Sequence, residues 1–147
     1  MIHILSSTFI SQPIKRVFEF ICTPENDFQW QYGTLASNQV SEGVIRVGAC
    51  FRSDGHWMGH RTQSTFEVIE YEPNNRYGFK SLSGPLQSIT SYTFDIARRY
   101  TQVKLSTQAN VVNLIEFNEN VLEKKMKRQI KENLAMLKQI LEAGGEL

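Results

Sequence analysis

The sequence predicts an α+β domain: a curved antiparallel sheet of seven strands wrapped around one long C-terminal helix, with two short helices after strand one. Three observations predict it. Between Thr34 and Gln108, β-branched and aromatic runs are separated by turn signals at Glu42-Gly43, Asp54-Gly55, Pro73-Asn74-Asn75, Ser83-Gly84-Pro85 and Arg98-Arg99. From Leu114 to Ala143, apolar residues recur at helical spacing and Gly144-Gly145 ends the pattern. Finally, 147 residues without repeat, linker or low-complexity stretch read as one domain, 1–147, long enough to bury most of its surface.

Each element follows from its local pattern. Ile2 to Ile10 alternates loosely and stops at Gln12-Pro13, as a strand does. Pro13 then opens a short helix in which Ile14, Val17, Phe18 and Ile21 share a face, ended before Pro24. Thr23-Pro24-Glu25-Asn26 reads as a cap and first turn, giving a second short helix to about Gln31 that carries Phe28 and Trp30. The clearest strand is Tyr100 to Ala109, with Val103, Leu105 and Thr107 inward. Its hairpin partner, Ser88 to Ile96, sends Tyr92, Phe94 and Ile96 inward across the Arg98-Arg99 turn. In the last helix Leu114, Phe117, Val121, Leu122, Met126, Ile130, Leu134, Leu137 and Leu141 form the stripe facing the sheet. Glu123, Lys124, Lys127, Arg128, Lys131, Glu132 and Lys138 decorate the wet side.

Composition excludes several classes of function. Sixteen Lys and Arg against fifteen Asp and Glu give a formal charge of +1, so no global field gathers nucleic acid or anionic membrane. The basic run Lys124 to Lys131 spreads around a helix and pairs with Glu123 and Glu132, and no exposed aromatics accompany it to make a single-strand platform. Cys22 and Cys50 form no CxxC pair and sit in apolar contexts, as reduced core thiols do. With no basic leader and no apolar run of about eighteen residues, a soluble, cytoplasmic protein without stable membrane insertion is expected. One helix cannot fill the hollow of a twisted sheet, so apolar volume is expected to stay open there and to hold a small apolar molecule.

The residues from Ile10 to Ile21, Trp30, Gly48, the stretch Phe66 to Phe79, Ser83-Gly84-Pro85, Tyr92-Thr93-Phe94 and Leu134 to Lys138 stand in a telling order. Together they resemble the helix-grip fold of the START-related (SRPBCC) superfamily, particularly its polyketide cyclase/dehydrase-like branch. The resemblance covers nearly the whole chain. It implies a cavity between sheet and long helix that accepts aromatic or lipid-like molecules. Some relatives carry such molecules, a minority catalyse cyclisation or dehydration, and others are co-chaperones of a heat-shock ATPase. Fold alone does not choose among these.

Candidate site residues depend on which strand face turns inward. If Phe66 and Val68 face in, Met58, His60, Thr62 and Ser64 share that face and Arg61 points out. The alternative face carries Trp57, Arg61, Ile69 and Tyr71, and a bulge near Gly55 or Gly59 would switch between them. The first set is favoured. His56 and His60 lie roughly 13 Å apart along a strand, too far to share one ion, so no metal is expected, nor any cofactor. Groups available for acid–base work are His60, Arg61, Glu67, Glu70, Tyr71 and Tyr92, of which His60 and Tyr92 are the catalytic candidates. Ligand-binding candidates are Trp30, Phe79, Phe117 and Val121 as apolar walls, with His60, Ser81 and Tyr92 as polar anchors. Ordinary core packing is the alternative for each. The leading expectation is a monomer or homodimer that binds or carries a small hydrophobic molecule. A cyclase or dehydratase comes second, and a co-chaperone-like interaction protein third.

Overall fold

The computed structural model describes residues 1–111 and 118–143. Strand β1 (Ile2–Ile10) leads into α1 (Ile14–Ile21) and a 3₁₀ helix (Pro24–Gln29). Strands β2 (Thr34–Gln39), β3 (Cys50–Trp57), β4 (His60–Glu72), β5 (Arg76–Ser83), β6 (Leu86–Ala97) and β7 (Tyr100–Val111) follow, and α2 (Glu119–Ala143) closes the chain. The strands form one seven-stranded sheet in the order β1-β7-β6-β5-β4-β3-β2. Every pairing is antiparallel. The expected α+β fold is therefore the observed one. The first strand and first helix keep their expected bounds, whereas the second short helix is a tighter and shorter 3₁₀ helix.

Two turn assignments change. Asp54-Gly55 lies inside β3, and the β3–β4 hairpin turns at Met58-Gly59, where φ is 54° and 80°, the left-handed pair a two-residue hairpin needs. Gly55 serves close approach instead. A Cβ there would strike the Gly33 carbonyl and Thr34 Cα, while the His56 N–H donates to Gly33 O at 2.7 Å. The turn also corrects parity: Met58 belongs to the turn itself, and Trp57 faces His60 across it on one face of the sheet.

Along β4 the favoured parity holds from Thr62 to Val68. Register then slips between Val68 and Glu70, leaving Ile69 without a partner in β5. This bulge, away from either glycine, lets Tyr71 return inward against Phe18 at 5.6 Å between ring centroids. Glu67 and Glu70 turn outward, where Glu67 meets Lys80 at 3.6 Å and Glu70 meets Arg76 at 3.2 Å. On β6, Tyr92 and Phe94 are buried as expected, but Ile96, at the turn end of the hairpin, is 72% exposed.

The core has two parts. Val17, Phe18 and Ile21 of α1 pack with Phe94, Val103 and the Leu134, Leu137 and Leu141 stripe of α2, while Ile2, Ile4 and Ala109 pack with Leu122. Helix α2 begins at Glu119, later than the Leu114 expected. Asn118 caps it, its Oδ1 accepting from the backbone N–H groups of Asn120 and Val121. Leu114 and Phe117 lie outside the described residues. Two charges read from sequence as wet, Glu123 and Lys138, instead line the free edge of β1, together with Glu142. Glu123 accepts from His3 N–H at 3.3 Å, Glu142 accepts from Ser11 N–H at 2.8 Å, and Lys138 donates to Phe9 O at 2.6 Å. No helix among the described residues is long and apolar enough to cross a membrane.

Val68 is 0% exposed and central to the inner face. Val68→Asp is expected to cost more than about 4 kcal/mol in urea denaturation, because the new carboxylate has neither water nor partner. Leu5→Asp, on the exposed outer face, should stay within about 0.5 kcal/mol. Equal, small effects would show that the inner face is wrongly assigned.

Candidate functional site

The C-terminal half of α2 is buried through Leu134, Leu137 and Leu141, but Met126 and Ile130 in its N-terminal half are only partly covered. Beneath them the sheet offers small inward residues, among them Ser88, Thr90 and Ala109, and space remains. Two adjoining cavities result. One, of about 190 Å³, lies between Met126, Ile130 and Leu134 of α2 and the side chains of Trp30, Tyr92 and Leu105. The other, of about 210 Å³, extends toward the β3–β4 hairpin past Phe51, Gly55, Trp57, Thr62 and Ser64. Gln31, Phe66, Phe79, Leu86 and Ser88 border both. Each lobe alone is below the roughly 300–1,000 Å³ of a drug-sized site, and the two together come within it.

Of the residues singled out from sequence, Trp30, Phe79 and Tyr92 are brought together here. The Trp30 and Tyr92 rings stand edge to face at 6.5 Å and 69°, and Phe79 lies 6.5 Å from Tyr92. Ser81 shares the inner face of β5 with Phe79, yet its Oγ accepts the Ser88 N–H at 2.8 Å and does not border the cavity. His60 shares the inward parity but stands exposed at the hairpin tip, outside the lining. His56 and His60 fall on opposite faces of that hairpin, since His56 pairs with Arg61 and His60 with Trp57. Val121, expected at the cavity wall, is 48% exposed, because the buried position at that turn of α2 belongs to Leu122. Phe117 lies outside the described residues.

From residue 11 to residue 142 the sequence matches the family model described as Activator of Hsp90 ATPase homolog 1-like protein. The chain belongs to this family. Among curated proteins none matches it in sequence. In structure it is similar to the protein TTHA0849 from Thermus thermophilus, at TM-score 0.84 and 18% identity over 98% of this chain and 99% of that one. It is also similar to a START superfamily protein from Mycobacterium smegmatis, at TM-score 0.84 and 9% identity over 99% and 100%. A third likeness is to the di-domain ARO/CYC BexL from the BE-7585A biosynthetic pathway, at TM-score 0.75 and 16% identity, covering 97% of this chain and 47% of BexL. At these identities the likeness speaks for the fold, which is the START-like helix-grip arrangement expected from the sequence.

In this member of the Activator of Hsp90 ATPase homolog 1-like family, the most unusual chemistry sits on the 3₁₀ helix. Residues three apart eclipse one another in that geometry, so Asp27 and Trp30 lie on one line facing the cavities while Phe28 turns out to solvent. From the sequence the segment reads as a helix carrying Phe28 and Trp30, and Asp27 is not singled out. The spacing of three to Trp30 was the signal. Asp27 is half-buried as a residue, but its carboxyl is surrounded by protein, which pushes it well above the usual carboxylate range, and Glu25 pushes it further. Burial likewise raises the Tyr92 and Tyr77 hydroxyls and the Cys22 thiol, with Asp27 adding to each. The two phenols and the thiol are therefore held protonated, as hydrogen-bond donors, and the Asp27 carboxyl keeps its proton to higher pH than an ordinary carboxylate. Trp30, 3% exposed, keeps its indole N–H enclosed with no partner among the described residues.

The raised Asp27 carboxyl has a consequence for stability. The folded state keeps a proton that the unfolded chain releases near its ordinary 3.8, so stability falls as pH rises from about 4 upward through the folded value. Glu142 acts oppositely. Its carboxyl is held low by Lys138 and the Ser11 N–H, a contribution present above its ordinary 4.5 and lost as pH falls. Asp27→Asn isolates the first effect. Its stability relative to the parent should grow as pH rises above about 4, up to the pH at which the folded carboxyl titrates, in denaturation midpoints. A difference that does not change with pH would contradict the raised carboxyl.

Proposed function

We propose that this protein binds or carries a small hydrophobic molecule, aromatic or lipid-like, in the space between the sheet and the N-terminal half of α2. The observation that carries the reading is the pair of adjoining cavities walled by Trp30, Phe66, Phe79, Leu86 and Ile130. A guest filling them exchanges water for apolar wall at roughly 25 cal/mol per Å². About 200 Å² of guest surface so covered is worth about 5 kcal/mol before the costs of immobilisation. Aromatic walls suit a flat guest, since Phe51, Phe66 and Phe79 already stand at 5.1–5.3 Å in stacked and edge-to-face pairs.

A cyclase or dehydratase needs a base beside the guest. The two candidates stand apart, His60 exposed at the hairpin tip and Tyr92 in the wall with its hydroxyl held protonated. That separation favours carriage over catalysis.

The test is native mass spectrometry of freshly purified protein, followed by thermal-shift titration with aromatic and lipid-like compounds. A co-purifying mass, or a dose-dependent rise in melting temperature, is expected. Ser88 borders both lobes, and Ser88→Phe fills them; it should weaken binding at least about tenfold while the unliganded melting temperature changes little. Binding by the filled variant equal to the parent's, or no mass and no shift with any compound, overturns the reading.

A further inference from the structure

The polar groups around the cavities are unevenly matched. The described residues lining both lobes include no Lys and no Arg, and His56, in the outer lobe, is the only one able to carry positive charge. The inner corner, by contrast, gathers donors. Trp30 is donor-only through its indole N–H, which has no partner among the described residues. Beside it in the same lobe the Tyr92 hydroxyl makes no side-chain hydrogen bond among the described residues, while the Asp27 carboxyl borders the adjoining outer lobe. The 3₁₀ helix fixes this corner, with Asp27 O accepting from the backbone N–H groups of Trp30 and Gln31 at 3.1 and 2.8 Å. An unmatched buried donor is costly, and an acceptor brought by a guest relieves it.

Resting on the ligand-holding reading above, we propose that the guest is uncharged and presents a carbonyl oxygen to the corner of the inner lobe formed by Trp30 and Tyr92, and that carboxylates are rejected. A carbonyl oxygen has two lone pairs and no proton, so it accepts from the indole N–H and a second donor at once. A carboxylate would enter a lobe lined by no Lys, Arg or His among the described residues, and its desolvation would go uncompensated. An amine would gain Asp27 as a partner but leave the indole N–H as it is, and so does not explain the unmatched donor.

Three probes with one ring system separate the possibilities at pH 7: 2-acetylnaphthalene, 2-ethylnaphthalene and 2-naphthoate, measured by calorimetry with the full chain. The ketone should bind at least about fivefold more tightly than the hydrocarbon, and the carboxylate weakest of the three. In Trp30→Phe, which keeps an aromatic wall and removes the N–H, the ketone's advantage should fall to below about twofold while hydrocarbon binding holds. If that variant does not fold, Tyr92→Phe gives the same readout with a second donor. Ketone and hydrocarbon binding equally, or the carboxylate binding best, overturns the carbonyl assignment and leaves the cavity reading intact. Failure of all three to bind overturns both.

Discussion

The position of α2 along the free edge of β1 is the constraint on which the rest of the molecule depends. β1 pairs only with β7, so its outward N–H and C=O groups have no strand to meet. Glu123, Lys138 and Glu142 meet them instead, at His3, Phe9 and Ser11, and Gln12 donates back to Leu141 O at 3.0 Å. These contacts span most of the helix and set its height over the sheet. With the height fixed, the leucines near its C-terminus reach α1 and the inner strands, while Met126 and Ile130 are left above small residues. The cavity is thus a consequence of edge protection, and needs no separate device to hold it open.

Much of this was legible in the sequence because two periods carry it. Period two in β6 and β7 identified Tyr92, Phe94, Val103 and Leu105 as inward, and period 3.6 identified the leucine stripe of α2. What was lost was lost for local reasons. Asp54-Gly55 has turn chemistry, yet Gly55 is needed where Gly33 and the start of β2 approach β3 closely. The bulge at Ile69 flips parity for Tyr71 without any Gly or Pro to announce it. Glu123 and Lys138 look like solvated charges until the edge of β1 is beside them. In the site, Trp30, Phe79 and Tyr92 were visible as large inward aromatics. Asp27 was not, because a 3₁₀ turn aligns residues three apart where an α-helix would spread them.

The interior chemistry follows from the same packing. A carboxyl, two phenols and a thiol lie in or near one apolar region, and desolvation raises the pKa of each. Groups so shielded serve as hydrogen-bond donors to any acceptor brought beside them. Under the proposed reading, the described lining would select a guest by withholding Lys and Arg as well as by the shape of its aromatic walls.

Because α2 is at once the roof of the cavity and the cover of β1, the two sides of the roof are not equivalent. Lifting the helix from β1 to admit a guest would bare a strand edge, a template on which other chains assemble. The opposite rim carries no such penalty: there α2 meets the segment after the 3₁₀ helix, where Tyr32 N–H donates to Asn133 Oδ1 at 3.1 Å and Gly33 has φ of 85°. A guest entering by that rim would leave the edge covered, so the architecture would uncouple loading from exposing the chain to aggregation.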